Sequence, residues 1–134
     1  MLQRRQTLQP TVRPVPPGLM AGTEGAESPF FSPDGSRVGF RAQGVWRVAS
    51  LGGGPPITIA DSGIGPWGGS WGSDAYIYVD GNLHGNELVR VAESGGAPET
   101  VTMIDTTQGE EAHFWPEVLP SSRGVVFSVR RGGM

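Results

Sequence analysis

Ser28-Pro29-Phe30-Phe31-Ser32-Pro33-Asp34-Gly35-Ser36-Arg37-Val38-Gly39-Phe40 reads as a strand, a tight turn and a second strand. Ser32 suits the first turn position, and Pro33 presets φ for the second. Asp34 suits the third, and Gly35 tolerates a left-handed fourth. Beyond the turn, Val38, Phe40 and Ala42 alternate with Arg37, Gly39 and Arg41, a period of two that belongs to a strand.

The same pattern continues outward. Gln43-Gly44 turns the chain into a third strand, Val45–Ser50. Gly52-Gly53-Gly54-Pro55 turns it into a fourth, Ile57–Ala60. Val45–Pro56 then lies over Leu88–Glu99 at an offset of 43, with six of twelve positions identical and no gap. Phe31–Asp34 lies over Trp71–Asp74 at an offset of 40, and Tyr76–Val79 follows as the matching second strand. A third copy starts near His113, where Val118–Phe127 lies over Phe31–Phe40 at an offset of 87.

Four short strands repeated every 40–45 residues are the signature of propeller blades. The strand chemistry points the same way. Tyr76–Val79 and Val125–Phe127 are apolar at successive positions, which predicts burial on both faces. No helical period of useful length is present. The expected fold is therefore all-β, with β-propeller blades at about 29–60, 69–105 and 113–130. They follow a polar, proline-rich segment at 1–17 in which Thr11–Val15 could form an edge strand.

The 22 glycines and 12 prolines, about a quarter of the 134 residues, fall between apolar runs as turns would. Net charge is −3, which gives no basic footprint for nucleic acid. There is no cysteine, so disulfides and thiolate metal sites are excluded. All ten basic residues are arginine. No apolar run is long enough to span a membrane, and no signal peptide is visible after Arg4 and Arg5. The compartment is left open.

Gly22–Ala26, Ser28–Gly35, Gly69–Gly72, Gly95–Pro98 and Trp115–Pro120 together resemble TolB-type, WD-repeat-like propeller repeats. Their order is similar to the propeller C-terminal to bacterial serine/threonine kinases, and the resemblance covers about residues 18–130. Ser121-Ser122 and Ser73-Asp74-Ala75 depart from its Asp-Gly turn. The resemblance implies a non-catalytic binding or sensory module within a larger signalling protein, extracytoplasmic if the likeness holds. Two other readings are the propeller gate of a serine peptidase and a standalone TolB-like periplasmic scaffold. No kinase motif and no G-x-S-x-G elbow is present, so no enzyme activity and no cofactor is expected of this chain. Three blades fall short of a closed ring, which usually takes four to eight. The expected partners are the remaining blades of a parent chain, or a second copy completing six.

Candidate contact residues are few. Gly63-Ile-Gly65-Pro-Trp-Gly68 fits G-x-G-x-x-G, but Pro66 and the following glycines leave no helix for a dinucleotide, so it reads as a loop. Trp67 in that loop is the tryptophan expected to be exposed. Trp46, Trp71 and Trp115 lie on or beside strands and are expected in the core. Glu111 and His113 have the i, i+2 spacing of strand-borne zinc ligands without a third ligand nearby, which leaves Glu110–His113 as a solvated loop. Asp80 and Asn82, around His84, could offer oxygens to calcium. The run lacks the later ligands, so a polar hairpin with Gly81 or Asn82 at positive φ is expected. Asp34 and Asp74 read as turn residues bonding local amides. Trp67, His84, Glu111 and His113 are thus the candidates for ligand or partner contact, in the loops 63–69, 81–86 and 106–113.

Overall fold

A computed structural model of the chain describes residues 20–60, 65, 67–81 and 86–132. The proposed edge strand at 11–15, Asn82 and His84 lie outside the described residues. The described residues are all-β, in three antiparallel sheets of four, four and two strands. The first sheet holds β1 (Glu27–Phe31), β2 (Arg37–Ala42), β3 (Val45–Ser50) and β4 (Ile57–Ala60) in sequence order. The second holds β5 (Gly69–Trp71), β6 (Tyr76–Val79), β7 (Val89–Ala92) and β8 (Glu99–Thr100), also in order. The third pairs β9 (Glu110–Val118) with β10 (Val125–Arg131). The only helical pieces among the described residues are single 3-10 turns at Thr106–Gln108 and Pro120–Ser122. No helix there is long and apolar enough to cross a membrane.

Local chemistry sets the turns. The Gly35 N–H donates to the Ser32 carbonyl at 2.9 Å, closing the β1–β2 turn, and Gly35 takes φ 74° as a left-handed position requires. The Asp34 carboxylate accepts from the Ser36 N–H at 2.9 Å and from the Ser32 and Ser36 hydroxyls. Asp74 plays the same part before β6, accepting from the Tyr76 N–H and the Tyr78 hydroxyl.

The first two sheets share one core. Trp46, Val48, Ile59 and Ala60 from the first meet Trp71, Ile77, Val79, Val89 and Val91 from the second. Phe30 fills the seam, with ring centroids 5.8 Å from Trp46 and 6.2 Å from Trp71. Sandwiched β6 is buried along its length apart from half-buried Tyr76, as its apolar run requires. Arg37 of β2 bridges to Glu93 beyond β7 at 2.8 Å, and its guanidinium lies 4.6 Å from the Trp71 ring.

The expectation fails for β10. Val126 is 57 % exposed, and Val125 and Phe127 are only half-buried. The third sheet has two strands, so β10 pairs on one side only among the described residues.

Candidate functional site

The site is built around a buried carboxylate. Asp80 directly follows β6 and has no exposed surface. An unpaired charge at such a depth would be costly. Here Oδ1 accepts the Trp67 N–H at 3.1 Å and Oδ2 accepts the Trp115 N–H at 3.1 Å. Burial pushes the Asp80 carboxyl above its ordinary range, and the amides of Trp115, Trp67 and Gly68 oppose that shift. Asp80 is therefore a structural clamp tying the loop before β5 to the middle of β9. It is not the hairpin-surface oxygen donor that its place beside Gly81 suggested.

The loop fits closely over this clamp. Gly65 is buried, and any Cβ there would collide with the Asp80 carbonyl. The Gly65 carbonyl accepts the Trp46 indole N–H at 3.2 Å, so the loop is fixed to the core from below. No helix follows Gly68; strand β5 does. Main-chain anchoring by Asp80 leaves the Trp67 ring 58 % exposed, as its glycine-rich setting suggested.

Trp115 behaves otherwise than expected. It lies within a strand, yet it is also 58 % exposed. The β9–β10 register explains this. Phe114 pairs with Ser128 and Glu117 with Val126, so Trp115 and Pro116 together face Phe127 alone. This is a β-bulge, a site that accommodates a proline and re-aims the neighbouring side chain. Trp115 takes φ 51°, and its ring turns out of the core while its N–H goes to Asp80 instead of the ladder.

Two exposed indoles thus hang from the two oxygens of one carboxylate. With Phe114 and Arg130 they line a cleft of about 400 Å³ whose wall is mostly carbon. The Phe114 and Trp115 centroids are 5.6 Å apart, and the Arg130 guanidinium lies 5.6 Å from the Phe114 ring. Arg130 Nε donates to Glu111 Oε2 at 3.0 Å, which sets the direction of the guanidinium.

The other candidates separate. Glu110–Ala112 and His113 belong to β9, not to a solvated entry loop. A second bulge places Glu111 as an extra residue, because Ala112 pairs with Arg130 and Glu110 with Arg131. That extra residue reverses the alternation. Glu111 faces solvent, whereas His113 is 2 % exposed and meets Glu110 instead. His113 Nε2 lies 3.1 Å from Glu110 Oε2, and Nδ1 lies 2.7 Å from Thr102 Oγ1. Its ring packs on Phe127 at 4.7 Å. Glu110 also accepts the Asp105 N–H and pairs with Arg131 at 3.4 Å, and the Asp105 and His113 bonds hold its carboxyl below the usual carboxylate range. His113 is thereby satisfied and away from the surface, and Glu111 enters the cleft only through Arg130. No cluster of three metal-ligating side chains occurs among the described residues.

Sequence reasoning expected the exposure of Trp67, placed Trp115 in the core, read Asp80 as part of a polar hairpin and did not single out Arg130. The one sequence signal for Trp115 was Pro116, whose missing N–H marks a break in the ladder. No family model matches the chain, and neither a curated protein nor a solved structure resembles it significantly.

Proposed function

We propose that this chain is a non-catalytic binding module of propeller-type blades, whose contact surface is the cleft between Trp67 and Trp115. The carrying observation is that both exposed indoles are held through main-chain N–H groups by the same buried carboxylate. Large apolar rings left in water and fixed at the backbone are suited to recognition, because they bring contact area at little cost in ordering. The strand order of the two four-stranded sheets, each running β-meander fashion, supports the blade reading, as do the repeat period and the motif resemblance. Membership of a larger signalling protein such as a bacterial serine/threonine kinase is supported by that resemblance alone. Reading the genomic sequence on both sides of this frame tests it. A full-length gene with neither a kinase nor a membrane segment upstream would remove it.

The cleft is tested by a fragment screen read on the four indole N–H resonances. Bound fragments are expected to move Trp67 and Trp115, with Trp46 and Trp71 unmoved. Hits whose own ligand resonances still broaden with a Trp67→Ala/Trp115→Ala double variant would reject the site. That variant keeps both main-chain donors to Asp80, so folding is expected to survive.

A further inference from the structure

We infer that the cleft between Trp67 and Trp115 takes a small ligand made of one flat-faced ring carrying a carboxylate. The inference rests on the proposed contact surface and adds its ligand class.

Three observations carry it. The cleft, at about 400 Å³, has the size of a small-molecule site. Its walls are the rings of Trp67, Phe114 and Trp115, which stack against a ring face and offer a chain-like ligand few polar partners. Among the described residues its charged lining group is Arg130, more than half exposed and bonded to Glu111 through Nε. The two terminal nitrogens of its guanidinium have no partner among the described residues, and together they form the fork that grips a carboxylate with two parallel hydrogen bonds.

The same arrangement disfavours the other ligand that aromatic walls invite. Three rings could cage a quaternary ammonium ion. Here the cation over Phe114 is already Arg130, and a second positive charge beside it would be repelled. Glu111 stands behind Arg130, bonded to Nε, and does not line the cleft. An aromatic acid and a pyranose uronate share the required chemistry, and the probes below separate them.

The test is a titration followed on the Trp67 and Trp115 indole N–H resonances. The probes are phenylacetate, phenylacetamide, glucuronate, methyl glucoside and tetramethylammonium. At least one acid is expected to bind about fivefold to tenfold more tightly than its neutral counterpart, the range of one exposed but bidentate ion pair. Arg130→Gln is expected to erase that preference and leave neutral-ring binding in place. Arg131→Gln, whose partner is Glu110, is expected to leave it intact. Phenylacetate preference alone identifies an aromatic acid, and glucuronate preference alone a sugar acid. Equal binding of acids and neutral rings would overturn the ligand class and leave the contact surface standing. Tightest binding by tetramethylammonium, or no shift from either acid, would also overturn the class. The contact surface is then judged by the fragment screen alone.

Discussion

Trp115 holds a backbone angle that its own side chain disfavours. A φ of 51° is left-handed, where an L residue crowds its own carbonyl and a bulky one is an outlier. Such strain persists only where the surroundings fix it, and here Asp80 Oδ2 fixes it through the Trp115 N–H. Trp115→Gly should therefore be more stable than Trp115→Ala, by about 1 kcal/mol, because glycine alone is free of the penalty. Urea denaturation of the two variants measures the difference, and equal stabilities would show the angle to be unstrained. The exposure of Trp67 could be read from sequence because it sits in a proline- and glycine-rich run, Gly65-Pro66-Trp67-Gly68-Gly69, with no strand pattern of its own. Trp115 could not, because strand membership argued for burial and the bulge that reverses it depends on register with β10, a nonlocal property. Asp80 was hidden for a similar reason. Its two partners lie 13 and 35 residues away.

At the scale of elements, the Ser32–Gly35 turn is the piece most fully written in local sequence. Its donors and acceptor all lie within five residues, so type, register and role follow from residue chemistry. The Ser36 amide and hydroxyl and the Ser32 hydroxyl hold the Asp34 carboxyl down at about 2. The folded turn thus prefers the ionised form. Its contribution is present above the ordinary value near 3.8 and is lost as pH falls through about 2. A carbon-detected titration of Asp34 should show a midpoint near 2, and Ser36→Ala should raise it. An unmoved midpoint would mean that the Ser36 hydroxyl does not hold the carboxylate. Strand β9 is the contrasting element. Its two bulges each break the two-residue alternation, which is why the Glu111–His113 spacing misled and Glu110 became the partner of His113. Sequence periodicity describes a regular strand, and β9 is regular only in short pieces.

Across the whole molecule, the joint between the first two sheets combines a carbon seam with the Arg37–Glu93 ion pair. The offsets of 40 and 43 residues between matching stretches anticipated the two meanders, because each stretch carries its own hydrophobic pattern. They could not reveal the Arg37–Glu93 bridge, which joins positions that do not correspond at those offsets. Arg37 and the Trp71 indole N–H hold the Glu93 carboxyl below its ordinary value. The bridge therefore adds stability above that ordinary value, near 4.5, and loses it as pH falls through the lowered one. Its partial exposure limits the worth to about 0.5–1 kcal/mol. Glu93→Gln should be less stable than the parent protein by that amount at pH 7, with the gap closing in acid. A gap that stays constant in thermal denaturation down to pH 3 would assign it to packing. The burial expected for Val125–Phe127 failed at this same scale. A strand's own sequence specifies which faces are apolar, whereas covering both faces takes a second sheet.

Asp80 grips main-chain amides, which every residue except proline possesses. Neither hydrogen bond uses a side-chain atom of residue 67 or 115. At 115 the left-handed angle still penalises every residue but glycine. The atoms that hold these two residues in place and the rings that they present to solvent are therefore different atoms.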